Sequence, residues 1–389
     1  MTTLPIRSTQ SSNQERVLYI GLMSGTSLDG VDSVLLDFSA PCWQIVGAFS
    51  LPMPTKLREL FLSLQQPGHN ELHLEALAAN ALARLYAECV SELLANVHVH
   101  PAQIIALGAH GQTVRHQPGL HDGVGYTRQV INSALLAELS GIDVISDFRN
   151  RDVAAGGQGA PLVPGFHARM FASEQEARVV CNIGGIANLT ILPVDSATNP
   201  KSIIGFDCGP GNILLDYCAQ KHLGKPYDEN GCWAASGRLD AAFLAQLMSE
   251  HFFKKTPPKS TGRDLFNSTW LEKQCHLFGT TPVPVDMQTT LTHCTAQAIA
   301  QAAQSYGGDA RTLILCGGGA RNVYLVKLLQ QALPDWLVML SDALGLPIQE
   351  VEAGAFAWLA WCFMRGVAGN LPGATGARGP RVLGAHYPR

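Results

Sequence analysis

Four glycine-rich turns in this chain combine a flexible backbone with hydroxyl, amide or carboxylate side chains. They lie in "YIGLMSGTSLDGVDSVLLDF" (19–38), "NIGGIANL" (182–189), "GFDCGPGN" (205–212) and "LCGGGARN" (315–322). Glycine lets the backbone approach a ligand closely, and successive N–H groups in such a turn can bind an anion. All four turns lie beside apolar, strand-like runs, so together they predict a phosphate-binding cleft. Taken singly, the first turn is equally compatible with a plain hairpin.

The first turn, residues 25–32, does not match two common motifs. No lysine follows its glycines, which excludes a Walker A loop. The pattern S-G-T-S-L-D-G also lacks the G-x-S-x-G of a nucleophile elbow, so neither Ser24 nor Ser27 is placed as a serine nucleophile. Asp29 has two open interpretations: it can hold Mg²⁺ through water molecules, or it can bond to the backbone of its own turn.

The elements that must position these turns recur in the same order. The strand–turn–strand run 19–38 has a counterpart at 179–192, and the strand and glycine turn at 104–113 have a counterpart at 313–322. Helical spacing of apolar residues predicts a long helix over 72–98. The sequence therefore predicts an α/β fold of two similar lobes, each with a central mixed β-sheet flanked by helices, and a cleft between them.

The domain boundaries follow from this repeat. Residues 1–16 are polar and predict a disordered lead. The N-terminal lobe is predicted to span 17–172 and to be completed by 367–389, and the C-terminal lobe to span 173–366. The longest apolar run, 353–364, is too short to cross a bilayer.

Composition narrows the function classes further. Of the 389 residues, 47% are hydrophobic and 15% charged, with a net charge of −4. This balance gives no general attraction for nucleic acid or an anionic membrane, so neither is expected as a partner. The 10 cysteines are scattered without a C-x-x-C pair, and the polar N-terminus lacks a signal-peptide core. We therefore expect a cytoplasmic protein.

Eight motifs in order resemble those of the anhydro-N-acetylmuramic acid kinase family. They are "GLMSGTSLDGVD", "GAHGQT", "DFRNRDVAAGGQGAPL", "NIGGIANL", "FDCGPGN", "KSTGRDLFN", "CGGGARN" and "EAGAFAWLA". The resemblance runs from about residue 17 to the C-terminal "LGAHYP". This family is similar to the sugar kinase, Hsp70 and actin superfamily, whose two lobes close over ATP. The long N-terminal lead and "QVINSALL" depart from the family pattern, so no role is assigned there.

The resemblance implies a composite reaction on a small amino sugar. Water opens the 1,6-anhydro bond of 1,6-anhydro-N-acetylmuramic acid, and ATP phosphorylates the released O6. The product is N-acetylmuramic acid 6-phosphate, with ADP, in the recycling of peptidoglycan. The implied cofactors are ATP and Mg²⁺, and the implied assembly is a homodimer.

The resemblance also implies roles for particular residues. Asp207 is the predicted catalytic base, read as lying on an exposed turn, and the alternative is that it caps the following helix. The predicted ATP-binding residues are Gly25, Thr26, Ser27, Leu28, Asp29, Gly30, Val31, Asp32, Gly184, Gly185, Asn188, Gly317, Gly318, Gly319 and Asn322. The predicted sugar-binding residues are Thr113, Arg151, Asp152 and Glu352, and the predicted metal ligands are Asp29 and Glu352.

Several assignments keep alternatives. Either Arg151 or Arg149 can pair with the lactyl carboxylate. Glu352 can instead be an ordinary acid at a helix N-terminus. Lys259 and Arg263 can steady phosphate charge or lie in a solvated loop.

Three other functions are compatible with parts of the pattern. They are an ATP-driven binding protein of the same fold, a carboxylate kinase of that fold, and a serine hydrolase. His110 and His116 lack a third ligand and zinc spacing, so they are interpreted as a turn histidine and a surface histidine.

Overall fold

The structure is a computed structural model, and it describes residues 16–25, 27–40, 43–196, 198–262 and 265–389. Thr26, Arg263 and nearly all of the predicted N-terminal lead lie outside the described residues. Across the described ranges, no helix combines the length and apolarity that a membrane span requires.

The strands, in chain order, are β1 (Leu18–Met23), β2 (Gly30–Asp37), β3 (Gln44–Pro52), β4 (Ile104–Ala109), β5 (Gln112–Pro118), β6 (Gly125–Val130), β7 (Val144–Ser146), β8 (Arg178–Ile183), β9 (Ile186–Leu192), β10 (Ile204–Pro210), β11 (Thr312–Cys316), β12 (Leu337–Leu340) and β13 (Ala385–Tyr387). The α-helices are α1 (Thr55–Leu64), α2 (Glu71–Val97), α3 (Ser133–Ser140), α4 (Asn150–Ala154), α5 (Pro164–Phe171), α6 (Ile213–Leu223), α7 (Cys232–Ser236), α8 (Ala241–Met248), α9 (His251–Lys254), α10 (Ser268–Phe278), α11 (Pro284–Tyr306), α12 (Val323–Ala332), α13 (Glu350–Met364) and α14 (Pro372–Thr375).

Two sheets share one topology, which confirms the predicted fold class. The first sheet has the order β13-β7-β4-β1-β2-β3, and the second has the order β10-β9-β8-β11-β12. In each, an antiparallel three-strand meander, β1-β2-β3 or β8-β9-β10, is extended by two parallel strands on its first member. The repeat read from the glycine turns is therefore a repeat of whole sheets. Parallel strands end at the same sheet edge, so the turns that follow β4 and β11 join the hairpin turns there.

Helix α13 lies with its backbone directly on the first sheet. A Cβ on Gly21 of β1 would meet the Ala353 carbonyl oxygen at 1.7 Å, and one on Gly108 of β4 would meet that of Phe356 at 2.0 Å. Only glycine permits so close an approach of helix and strand. The helix is apolar and buried around most of its circumference, as its sequence "EVEAGAFAWLAWCFM" requires.

Helix α5, which packs on β8 and β9 of the second sheet, meets helix α13, which packs on the first sheet. Trp358 of α13 packs over Gly165 of α5, and Phe166 packs against Gly354 in return. Their apolar cluster also contains residues of both sheets, such as Tyr19 and Ile314.

The predicted lobe boundary at residue 366 stays a prediction, while the contacts of α13 with β1, β2 and β4 support assigning this helix to the first lobe.

Strands β5 and β6 form a separate two-stranded hairpin beside α2 and α4. Arg115 of the hairpin donates to Glu71 at the start of α2 at 2.6 Å, and Arg128 pairs with Glu75 one turn further on. Both pairs reach the solvent, so each contributes at most about 1 kcal/mol. Their effect is to hold the hairpin, which begins at Gln112 and Thr113, against the first lobe.

Candidate active site

The first turn is held in shape by groups on both sides of it. Leu28 has a left-handed backbone with φ of 57° and buries its side chain in the core of the first lobe. Since Leu28 and Val31 are both buried, any contact that they make with a phosphate must come from their backbone. Ser27 Oγ donates to Asp29 at 2.6 Å, and Asp29 is exposed. The turn thus presents backbone groups, a hydroxyl and a carboxylate at its tip.

Gln112, the first residue of β5, fixes the first turn to the start of that strand. Its Oε1 accepts from Ser24 Oγ at 2.5 Å, and its Nε2 donates to the Gly25 carbonyl at 3.2 Å. Gln112 is fully buried, and its bond to Ser24 lies away from water. The motif "GAHGQT" contains this residue, but the sequence alone did not single it out. The signal in the sequence is its position directly after Gly111, in the glycine turn that follows a strand.

The turns of the second lobe lock one another. The carbonyl oxygens of Gly184 and Gly185 accept backbone N–H groups from Gly211, Asn212 and Ile213, at 2.8 to 3.1 Å. A Cβ on Gly211 would lie 2.2 Å from the Gly184 oxygen, which explains the glycine there. The N–H groups at the start of α6 therefore already donate to the turn between β8 and β9.

The third glycine turn of the second lobe packs against the same hairpin. Gly317 has φ of 80°, and a Cβ on it would lie 2.4 Å from Asn182 Oδ1. Gly318 is exposed, and a Cβ there would meet only the Asn212 amide nitrogen, at 4.0 Å. Asn322 caps α12 by accepting from the Leu325 N–H at 2.9 Å, so its side chain already serves the helix.

Three polar residues form a row across the second sheet. Asn182 of β8 pairs with Asn188 of β9, which pairs with Asp207 of β10. Directly paired residues point to the same face of a sheet, so the three side chains line one surface. Asn188 Oδ1 is buried without a hydrogen bond among the described residues. The row ends at Asp207.

Asp207 lies within strand β10, not on the exposed turn that the sequence pattern predicts. The pairing of β10 with β9 continues through Gly209 and Pro210 across a bulge at Cys208, and Asp207 is half-buried. Its Oδ2 accepts from the Thr261 N–H at 2.9 Å, and its own N–H donates to the Lys259 carbonyl at 3.1 Å. Helix α6 begins later, at Ile213, and its N-cap is Asn212. Asp207 is therefore not the cap of that helix.

Lys259 adds a positive charge beside Asp207. Its Nζ donates to the Phe252 carbonyl at 3.3 Å and lies 4.8 Å from the centre of the Phe252 ring. Burial lowers the pKa of Lys259, while Asp207 acts in the opposite direction. The predicted contact of Lys259 with phosphate stays a prediction, because the described bonds direct this ammonium toward the carbonyl groups of α9.

Carboxylates of the first turn (Asp29 and Asp32) and of helix α13 (Glu352) face the cleft near Asn182. Glu352, in the first turn of α13, accepts from Asn182 Nδ2 at 3.1 Å. Burial raises the pKa of Glu352, and the charges of Asp32 and Asp29 raise it further, while Asn182 and Arg149 lower it. Glu352 thus lies at the N-terminus of α13 and directly beside Asn182 of the second sheet.

A magnesium ion fits this part of the cleft. Among the described residues, no group of three or more His, Cys, Asp or Glu side chains is arranged to hold a metal alone. Mg²⁺ bound with a nucleotide needs less, because phosphates and water complete its octahedral shell around one or two carboxylates. The exposed Asp29 carboxylate and Glu352 interact electrostatically across the cleft and supply the oxygen donors that this ion prefers.

Arg149 is the cation at the centre of the site. It precedes α4, and its guanidinium donates to His110 Nε2 from Nε at 3.1 Å and to the Gly159 carbonyl from Nη1 at 2.8 Å. Burial lowers the pKa of Arg149 to about 10, and the charges of Glu352, Asp152 and Asp207 oppose that shift. The group stays charged at neutral pH, and it faces acids from both lobes.

Comparison with known proteins decides the family. A family model described as anhydro-N-acetylmuramic acid kinase matches residues 17–389. A protein of that name from Ralstonia nicotianae is 56% identical over 388 residues, covering 100% of both chains. The chain belongs to the anhydro-N-acetylmuramic acid kinase family. A second protein of that name, from Cupriavidus metallidurans, is 54% identical over 380 residues, covering 97% of this chain and 100% of its own.

The chain also has distant likenesses among solved structures. The activator of 2-hydroxyisocaproyl-CoA dehydratase from Clostridium difficile, with bound ADPNP, has 13% identity and a TM-score of 0.47, over 90% of this chain and 96% of its own. That resemblance is too remote to carry an argument. Membership of the anhydro-N-acetylmuramic acid kinase family makes the chain a phosphotransferase that uses ATP and acts on a small molecule.

Within this kinase, the predicted sugar-binding residues have different surroundings. Thr113 lies at the start of β5 and accepts from Gln129 at 3.1 Å. Arg151 is exposed, whereas Arg149 faces the cleft. Asp152 is fully buried, and its two oxygens accept from Asn370, Thr375 and Gly159 at 2.6 to 2.8 Å. Its bonds tie the loop around α4 to the C-terminal segment.

Proposed function

We propose that the chain hydrolyses the 1,6-anhydro bond of 1,6-anhydro-N-acetylmuramic acid and phosphorylates O6 with ATP. The water oxygen forms the new bond to C1 while the C1–O6 bond breaks. O6 then takes the γ-phosphoryl group, and ADP leaves. The products are N-acetylmuramic acid 6-phosphate and ADP, as in peptidoglycan recycling.

The position of Asp207 carries this proposal. Its carboxylate is held at the cleft surface of the second sheet by the Thr261 N–H, and it interacts electrostatically with Arg149 of the first lobe. A carboxylate held in this way accepts the proton that the attacking water loses. The proton leaves the water as its oxygen bonds to C1, and the departing O6 is neutralised by the phosphoryl group. No separate strong acid is required.

The first turn and the glycine turns of the second lobe support an ATP site. The backbone of residues 25–32 and the Ser27 hydroxyl bind the phosphates from one side. On the other side Gly318, where an added Cβ would meet only the Asn212 amide nitrogen at 4.0 Å, leaves room for the nucleotide, while Gly317 and Gly319 pack against the hairpin. Asp29 and Glu352 hold Mg²⁺, partly through water. When bound, the ion neutralises charge on the β- and γ-phosphates.

Arg149, in preference to the exposed Arg151, binds the lactyl carboxylate of the sugar. Its planar guanidinium matches a carboxylate in geometry and remains charged. Thr113, at the start of β5, binds the sugar as well. We further propose a cytoplasmic homodimer, as the family resemblance implies.

The reaction is tested with ATP, Mg²⁺ and 1,6-anhydro-N-acetylmuramic acid in ¹⁸O-water. The expected product carries ¹⁸O at C1 and phosphate on O6. ATP hydrolysis without a modified sugar would instead favour an ATP-driven binding protein of the same fold. Asp207→Asn is expected to reduce kcat by about 10²- to 10⁴-fold, as for loss of a general base. Asp335→Asn, an exposed substitution in the second lobe, is the matched control and keeps normal turnover.

A further inference from the structure

His110 makes contacts that a simple turn histidine does not require. It lies between β4 and β5 and is only 4% exposed. Its Nε2 lies 3.1 Å from Arg149 Nε and 3.0 Å from Arg149 Nη2. Its ring also packs on Phe356 of α13, with 4.7 Å between the ring centres. The imidazole therefore joins the strand end, the long buried helix and the cleft arginine.

These distances require His110 to be neutral and to accept at Nε2. Arginine has donors only, so the shared nitrogen must carry a lone pair and no proton. Burial lowers the pKa of His110 well below its ordinary value, and the Arg149 charge lowers it further. The acceptor form is thus the stable form at neutral pH.

The bonds to His110 and Gly159 leave Arg149 with a directed binding edge. Three of its five N–H groups are engaged, by His110 Nε2 twice and by the Gly159 carbonyl once. One N–H on each terminal nitrogen has no hydrogen bond among the described residues. Two such groups on one rigid plane match the two oxygens of a carboxylate. If His110 were absent, the guanidinium could rotate toward the carboxylates around it.

We propose that His110 is a positioning residue that acts through Arg149 to orient its guanidinium toward the anionic group of the substrate. This inference rests on the proposed function and identifies which residue fixes its anion subsite. His110 itself touches neither sugar nor nucleotide.

A double-mutant cycle on sugar binding tests the inference. His110→Met removes the acceptor, and it is expected to raise the KM for the sugar about tenfold, the size of one charge-assisted hydrogen bond. The KM for ATP should stay within about twofold. His110→Gln retains an acceptor near the Nε2 position and should restore the sugar KM to within about threefold of the parent. In an Arg149→Met background, His110→Met should change that KM by less than about twofold.

Two outcomes would overturn the inference: an undiminished effect of His110→Met in the Arg149→Met background, or a His110→Gln variant as impaired as His110→Met. Should His110→Met fail to fold, His110→Phe keeps an aromatic ring against Phe356 while removing the acceptor, and it takes the same place in the cycle. The proposed function fails separately, if the parent protein itself phosphorylates no sugar. A functioning parent with additive variants contradicts only the role of His110.

Discussion

His167 makes the stability of this kinase sensitive to acid in a way that can be calculated. The residue lies in α5, between the lobes, and is 0% exposed. Its Nδ1 lies 2.8 Å from Thr190 Oγ1, and its Nε2 has no partner among the described residues. Burial lowers the pKa of His167 to about 3, so the folded chain keeps this imidazole neutral.

The direction of the effect follows from the two protonation states. An exposed histidine in the unfolded chain has a pKa near 6.5, about 3.5 units higher. Below pH 6.5 the unfolded chain therefore binds a proton that the folded chain excludes, and unfolding becomes easier. The stability contribution is complete above pH 6.5 and is lost as the pH falls toward 3. At pH 5.0 the loss amounts to about 2 kcal/mol, since each pH unit contributes about 1.4 kcal/mol.

Urea unfolding of the parent and of His167→Gln measures this quantity. Glutamine can still bond to Thr190 but does not titrate. We expect the free energy of unfolding of the parent, relative to the variant, to fall by about 2 kcal/mol between pH 7.5 and pH 5.0. His69→Gln, at an exposed position, is the control and should show no such change. A difference between parent and His167→Gln that is independent of pH would refute the reasoning.

Two further predictions concern the frame of the site. Gly21→Ala should lower the free energy of unfolding by about 1–3 kcal/mol or more, because the added Cβ would overlap the Ala353 carbonyl. Gly68→Ala, whose Cβ meets only one atom at 3.9 Å, is the matched control in urea unfolding, and equal losses would contradict the packing argument. Gln112→Leu should raise the KM for ATP about tenfold by releasing the first turn, measured by coupled ADP release. An unchanged KM for ATP would show that the turn holds its shape without this residue.

The repeat of two lobes could be predicted because it depends on local patterns. Each sheet begins with an apolar strand, a glycine turn and a second strand, and those residues are contiguous in the sequence. The helix predicted over 72–98 is found as α2 at Glu71–Val97, because its helical spacing is uninterrupted by glycine or proline. Such features need no knowledge of distant contacts.

The roles around α4 could not be predicted, because they depend on residues far away in the sequence. Arg149 and Arg151 look equivalent in "DFRNRD", and the contact of Arg149 with His110, from the turn between β4 and β5, distinguishes them. The bonds that Asp152 accepts from Asn370 and Thr375, more than 200 positions later, are equally invisible in the sequence. Similarly, "GFDCGPGN" reads as a turn, although strand pairing extends through its proline.

The close seating of α13 on Gly21 and Gly108 has a consequence for how the chain is made. Strands β1, β2 and β4 are synthesised early, but the helix that covers them and the edge strand β13 follow the whole second sheet in the sequence. Multidomain chains usually fold from the N-terminus during synthesis. Here the apolar face of the first sheet stays uncovered until α13 has been made, after all five strands of the second sheet, so we expect chaperones to engage the nascent chain there. The lobe whose strands are made first is finished last.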